Sequence, residues 1–154
     1  MKHLYLFTLE VALLELGKVY DELPSHLTLM SRFWSELPSD ELAEVVRPLF
    51  ARTNVMDLLF GEAVELGPKE LTVHMIEQPE ELKLHNDLHT LLDSVQADYQ
   101  YPQFIGTSHK PHVTKRKGVQ FRVGDKHVAQ AAYLIEVVNE RRVIRARFKL
   151  REND

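Results

Sequence analysis

The sequence contains one short pattern twice: a histidine, one apolar residue and a threonine. The pattern occurs as His26-Leu27-Thr28 and again, 86 positions later, as His112-Val113-Thr114. On a β-strand, residues i and i+2 share a face, with their side chains roughly 7 Å apart along it. Each pattern therefore places an imidazole and a hydroxyl together on one face of a strand.

Two imidazoles on opposite sides of one phosphorus atom could catalyse a displacement there. Imidazole is the side chain best suited to proton transfer near neutral pH, so one ring would act as general base and the other as general acid. The two threonine hydroxyls could donate hydrogen bonds to the non-bridging phosphate oxygens. This chemistry needs neither a metal nor a cofactor, and we expect none. The sequence leaves open which histidine is the base.

The elements that must position these residues follow from hydrophobic periodicity and turn signals. Leucine and aromatic residues predict a first strand, and the first motif begins the second strand. Two amphipathic helices follow, the first capped by Ser39 and the second with Pro79 in its first turn. The predicted strands are 3–11, 25–32, 56–66, 70–76, 119–123, 130–138 and 142–150, and the helices are 37–54 and 79–95. This order indicates the α+β class.

Length and composition restrict the protein class. The chain has 154 residues, 44% of them apolar and 27% charged, which is typical of one globular domain covering residues 1–154. It has no cysteine, which excludes disulfides, thiol nucleophiles and zinc–cysteine sites. Glu10 and Glu15 interrupt the N-terminal apolar run, so we expect neither a signal peptide nor a membrane span. These features favour a cytoplasmic protein, and we expect a monomer.

The net charge of −4 hides an uneven distribution along the chain. Residues 36–98 include 14 acidic and four basic side chains, whereas residues 99–151 include 12 basic and three acidic ones. A locally positive surface attracts phosphates whatever the overall charge. The alternative is a balanced surface whose cations shield sheet edges. If nucleic acid binds, Trp34 and Phe104 are candidates for stacking on a base.

The two motifs carry a resemblance to a known family. "HLTL" at His26 and "PHVT" at Pro111 resemble the paired His-x-Thr motifs of the 2H phosphoesterase superfamily, which includes the bacterial 2′–5′ RNA ligase-like proteins. The similarity spans about residues 4–150, although its specific part is the two motifs. It implies a bilobal α+β domain, with two antiparallel sheets and flanking helices around a central positive cleft and a pseudo-twofold duplication.

The resemblance also assigns roles to residues. His26 and His112 would be the acid/base pair, and Thr28 and Thr114 would bind the phosphate. Lys115 stands where that family commonly has an apolar residue, and it would add a charge that attracts phosphate. The implied function is a metal-independent phosphodiesterase, or a reversible ligase. Its substrates would be 2′,3′-cyclic phosphates or 2′–5′ linkages in RNA ends or cyclic nucleotides.

Two other functions remain open at this stage. One is a non-catalytic RNA- or nucleotide-binding module of the same fold. The other is a metal-dependent hydrolase built on His85 and His89, whose i, i+4 spacing suits two ligands on one helix face. A zinc protease would need glutamate after the first histidine, and Asn86 stands there. His109 and His112 are also close enough in sequence to share a metal.

Overall fold

A computed structural model describes residues 1–66, 71–116 and 121–152. This part of the chain contains two α-helices and ten β-strands, which include both predicted helices and most of the predicted strands. The helices are α1 (Ser39–Ala51) and α2 (Pro79–Ser94). The strands are β1 (His3–Glu10), β2 (Val19–Tyr20), β3 (His26–Ser35), β4 (Met56–Leu66), β5 (Leu71–Glu77), β6 (Asp98–Tyr99), β7 (His112–Thr114), β8 (Lys126–Ala129), β9 (Ala131–Val138) and β10 (Arg141–Lys149).

The described strands form one sheet, and every pair of neighbours is antiparallel. Its order is β2-β10-β9-β1-β3-β7-β5-β4-β8, with β6 beside the far end of β3. The α+β class is therefore confirmed, but the predicted division into two separate sheets is not found. The reason is β7, whose three residues pair with β3 on one side and β5 on the other and so join the two groups of strands.

Hydrophobic residues lie on both faces of the central strands. Tyr5, Phe7 and Leu9 of β1 belong to the larger core, which also includes the buried faces of α1 and α2. Leu4 and Leu6 point to the opposite face, where the 11–25 segment covers a smaller core. That smaller core consists of Leu4, Leu6, Leu14, Leu23, Tyr133, Ile135, Val137 and Ile144. The segment covers only part of this face, and the first motif begins where it ends.

Most predicted elements are confirmed, with two corrections. Ser39 does not cap α1, because Pro38 occupies the N-cap position and Ser39 is the first helical residue. Residues 121–123 form no strand; the chain turns there and β8 begins at Lys126, while residues 119–120 of the predicted strand lie outside the described residues. No helix in the described ranges is long and apolar enough to cross a bilayer.

Candidate active site

The two His-x-Thr motifs lie side by side on β3 and β7. Leu27 is paired with Val113, and both side chains are fully buried in the larger core. In an antiparallel pair, the residues flanking such a position face the other way and oppose one another. His26 therefore lies opposite Thr114, and Thr28 lies opposite His112.

These four side chains form a square on the face of the sheet away from the helices. Side chains directly opposite one another have Cβ atoms about 4.5–5.5 Å apart, and diagonal neighbours about 7–8 Å apart. The two histidines occupy one diagonal, and the two threonines occupy the other. All four are half-buried, so they line a surface that solvent reaches.

The two imidazoles are held by equivalent hydrogen bonds. Nδ1 of His26 lies 2.8 Å from the carbonyl oxygen of Pro24, and Nδ1 of His112 lies 2.8 Å from that of Lys110. In both cases the acceptor is the carbonyl two residues upstream. Because a carbonyl oxygen only accepts, Nδ1 must carry the hydrogen in each ring. Nε2 of each ring is then the nitrogen that remains available to a bound molecule.

The surroundings of His26 favour its neutral form. Burial lowers the pKa of this imidazole to about 4, and the positive charges of Arg116 and Arg142 and its proximity to His112 contribute to the lowering. The hydrogen bond to the Pro24 carbonyl acts in the opposite direction but is weaker than burial. At neutral pH, Nε2 of His26 therefore has a lone pair that can accept a proton.

The far side of β7 is supported by β5. Met75 is paired with His112, and the Ile76 amide donates to the carbonyl of Pro111 at 3.0 Å. β5 in turn approaches β4 closely at Gly61, where a Cβ atom would lie 2.9 Å from the Met75 carbonyl oxygen. The position of His112 therefore depends on three adjacent strands.

A cavity of about 360 Å³ adjoins His26. Its floor includes Leu6 of β1, and its walls carry three arginines: Arg32, Arg116 and Arg142. The remaining lining residues are Asp21, Glu22 and Leu23. No local sequence pattern distinguishes Arg32 or Arg142 from the other arginines, because only the folded sheet brings them together.

The other predicted substrate-binding residues occupy different positions. Lys115 follows β7 and is exposed, and it does not line the cavity. Trp34 is opposite Leu4 and so lies on the same face of the sheet as the smaller core, with 37% of its surface exposed. Phe104 is 54% exposed in a short 3₁₀ turn before β7, 6.2 Å from the Tyr101 ring. Both predicted aromatic residues are thus accessible, and neither is part of the larger core.

The basic side chains of β10 are largely paired with carboxylates. Arg145 lies 2.8 Å from Glu136, and Arg147 lies 3.2 Å from Glu10. The positive charge that these arginines contribute to residues 99–151 is therefore mostly neutralised. The positive charge near the motifs comes instead from the arginines of the cavity.

The histidines of α2 do not form a pair of metal ligands. His85 is buried, with Nδ1 2.7 Å from the Leu29 carbonyl and Nε2 accepting from the Gly106 amide at 3.0 Å, so both ring nitrogens are already used. His89 lies 3.2 Å from Asp93. In the described ranges, no group of three or more potential ligand side chains is arranged around a common point. The described residues therefore do not support the alternative of a metal site on His85 and His89.

The environment of His109 also differs from that of a ligand that binds a metal together with His112. Its Nε2 lies 2.6 Å from the carboxylate of Glu81, which is completely buried in the first turn of α2. The His109 ring stacks on that of His85 at 3.8 Å, with an angle of 2° between their planes. Since α2 packs on the helix side of the sheet, this cluster anchors the segment that leads into the second motif.

Solved structures with the same fold include phosphoesterases. The chain superposes on TT0787 of Thermus thermophilus with a TM-score of 0.62 and 17% identity, covering 98% of this chain and 100% of that one. A structure described as a phosphoesterase gives a TM-score of 0.66 at 12% identity, covering 97% and 99%. Escherichia coli LigT complexed with 3′-AMP gives 0.65 at 14% identity, covering 97% and 99%.

These similarities establish the fold. No protein-family model matches the sequence, and no curated protein matches it significantly. The resemblance to the 2H phosphoesterase superfamily, which the paired motifs predicted, is confirmed at the level of the fold. LigT has also been solved with phosphate, ATP and NADP⁺.

Proposed function

We propose that this protein is a metal-independent phosphodiesterase that uses two histidines. Its substrate carries a 2′,3′-cyclic phosphate or a 2′–5′ linkage, in RNA or a nucleotide. The observation that supports this most is the placement of two imidazoles on one diagonal of the square, each with Nε2 left for proton transfer. In this proposal the chain is one domain of two lobes related by a pseudo-twofold axis, with one motif in each lobe.

The reaction assigns different roles to the two histidines. His26, neutral at pH 7, accepts a proton from water through Nε2 as the water oxygen bonds to phosphorus. The bond from phosphorus to the ribose oxygen breaks, and His112 donates its Nε2 proton to that oxygen. Thr28 and Thr114, on the other diagonal, donate hydrogen bonds to the non-bridging oxygens, where negative charge accumulates. In the ligase direction, a ribose hydroxyl attacks the cyclic phosphate in place of water, and the same two histidines transfer the protons.

The relatives of known structure are consistent with this substrate class. LigT has been solved in complexes with 3′-AMP and with phosphate, and both ligands contain the phosphate that the square is proposed to hold. In the present chain, Arg116 and Arg142 add positive charge next to His26. A phosphate dianion or diester is attracted to such a surface.

The test is hydrolysis of 2′,3′-cyclic mononucleotides in excess chelator. We expect the wild type to be active and His26→Ala and His112→Ala each to lose about 10²- to 10⁴-fold in kcat, which is the usual contribution of an acid or base. His89→Ala is the matched control, because His89 lies on α2 on the other face of the sheet. Equal rates in all four proteins would contradict the proposal.

The arginine-lined cavity also supports a second function, a nucleotide-binding module without turnover. Such a module would bind RNA with an affinity that falls steeply with salt and would release no product. The same assay distinguishes the two functions, since only the enzyme converts the cyclic phosphate.

A further inference from the structure

The cavity shares His26 with the square, but none of the other three residues of the square lines it. The reacting phosphate would lie over the square between β3 and β7. The cavity is instead lined by residues of β1, β3 and β10, by the 21–23 segment and by Arg116, which follows β7. An anion bound in the cavity would therefore be a second anion.

Three arginines but only two carboxylates line the cavity, and each carboxylate is already paired with an arginine. Arg116 is paired with Glu22, whose carboxylate lies 2.8 Å from its Nη1. The carboxylate of Asp21 is held by Arg141 at 2.8 Å, outside the cavity lining. Both acidic side chains of the lining therefore already have a cationic partner.

Two further arginines have no carboxylate partner among the described residues. Arg142 uses Nη1 for the carbonyl oxygens of Asp21 and Glu140, at 2.8 and 2.9 Å. These bonds fix the guanidinium and leave the N–H groups of Nη2 and Nε for another acceptor. The Arg32 side chain makes no hydrogen bond or ion pair within the described ranges. A fixed guanidinium with spare donors is well suited to a phosphate diester.

We propose that this cavity binds the phosphate adjacent to the reacting one, so that the enzyme prefers an oligonucleotide end to a mononucleotide. The inference rests on the proposed function, and it specifies the substrate class. A cyclic mononucleotide has one phosphate and fills only the square. An RNA end carries a second phosphate one nucleotide away, and Arg32 and Arg142 bind it.

The test compares a 2′,3′-cyclic mononucleotide with a dinucleotide that ends in the same cyclic nucleotide. For the wild type we expect kcat/KM to be at least about tenfold higher for the dinucleotide, a factor that corresponds to about 1.4 kcal/mol. Arg142→Gln and Arg32→Gln should each reduce this preference several-fold, mainly through KM. Arg47→Gln is the matched control, because Arg47 lies on α1, on the other face of the sheet, and pairs with Glu44.

Two further measurements isolate the charge and the binding. A dinucleotide whose internal phosphate is replaced by an uncharged methylphosphonate should lose the preference, since it keeps the second nucleoside but not the anion. Calorimetry with a nucleoside 3′-phosphate and a dinucleotide ending in a 3′-phosphate measures binding without turnover. The dinucleotide should bind more tightly to the wild type, and Arg142→Gln should remove most of the difference.

Each outcome bears on the inference separately from the proposed function. Equal kcat/KM for both substrates in the wild type would overturn the inference and leave the phosphodiesterase activity intact. Equal losses for both substrates in Arg142→Gln would show that the cavity holds the reacting phosphate, which also overturns it. If the wild type turns over neither substrate but binds the dinucleotide more tightly through Arg142, the inferred subsite stands and the proposed function fails.

Discussion

Replacing His109 by phenylalanine removes the N–H group that faces the buried carboxylate of Glu81. The phenyl ring can still stack on His85, so the substitution deletes the hydrogen bond while it keeps a flat ring in place. The bond it deletes is the 2.6 Å contact between Nε2 and Oε1. Oε2 of Glu81 has no partner within the described ranges, so the variant leaves both carboxylate oxygens without one.

The size of the effect follows from how deeply the pair is buried. The Glu81 side chain has no exposed surface, and that of His109 is 9% exposed. Leaving a buried polar group without its hydrogen-bond partner usually costs about 1–3 kcal/mol, and more when the group is charged, because the group is then neither hydrated nor paired. A domain has a total stability of about 5–15 kcal/mol, so His109→Phe should remove a large share of it.

A second substitution tests the cause of the loss. Glu81→Leu combined with His109→Phe removes the buried carboxyl group as well, and we expect the double variant to be more stable than His109→Phe alone. Urea unfolding at pH 7 measures each free energy of unfolding. Glu80→Leu, one residue away in the same turn and exposed, is the control and should change stability little. A loss below about 1 kcal/mol in His109→Phe, or a double variant less stable than it, would refute the reasoning.

Three further predictions concern pH and backbone packing. Because the pKa of His26 is lowered to about 4, kcat/KM should fall only as the pH approaches 4, and a pH–rate profile whose acid limb lies near 6.5 would contradict this. Arg142→Gln should move the fall to higher pH, because it removes a positive charge that disfavours the imidazolium of His26. Burial also lowers the pKa of His85 to about 4, so below about pH 6.5 the unfolded chain binds more protons than the folded protein does. The free energy of unfolding in urea should therefore be largest above that pH and should decrease as the pH falls towards 4. Gly61→Ala should destabilise the protein by about 1–3 kcal/mol in urea, since its Cβ would lie 2.9 Å from the Met75 carbonyl; an unchanged midpoint would show that the strands adjust freely.

The sequence singled out the four residues that the structure brings together in the square, but not the residues around them. His26, Thr28, His112 and Thr114 could be selected because the same three-residue pattern occurs twice, and strand periodicity placed each imidazole and hydroxyl on one face. The long helices and strands were predictable for the same reason, since each buries a regular stripe of apolar residues. Periodicity could not predict β7, because three residues give no period. Only the repeated pattern indicated a strand there, and its position depends on pairing with two strands from other parts of the chain.

The arginines of the cavity show why the remaining residues were missed. Arg32, Arg116 and Arg142 come from β3, from the residues after β7 and from β10, and only the strand order brings them together. Composition did indicate that the C-terminal third is basic. It did not show that Arg145 and Arg147 are neutralised by nearby carboxylates, because those pairings depend on strand register.

Both histidines are oriented by main-chain oxygens, and this affects how easily the pair can be lost. In many acid/base sites a carboxylate side chain selects the tautomer, so one substitution can rotate the ring or reverse its protonation. Here the acceptors are the carbonyl groups of positions 24 and 110, which every amino acid possesses. The chain path itself, rather than any neighbouring side chain, determines which ring nitrogen is left for the proposed proton transfer, and a substitution changes that nitrogen only by bending the backbone.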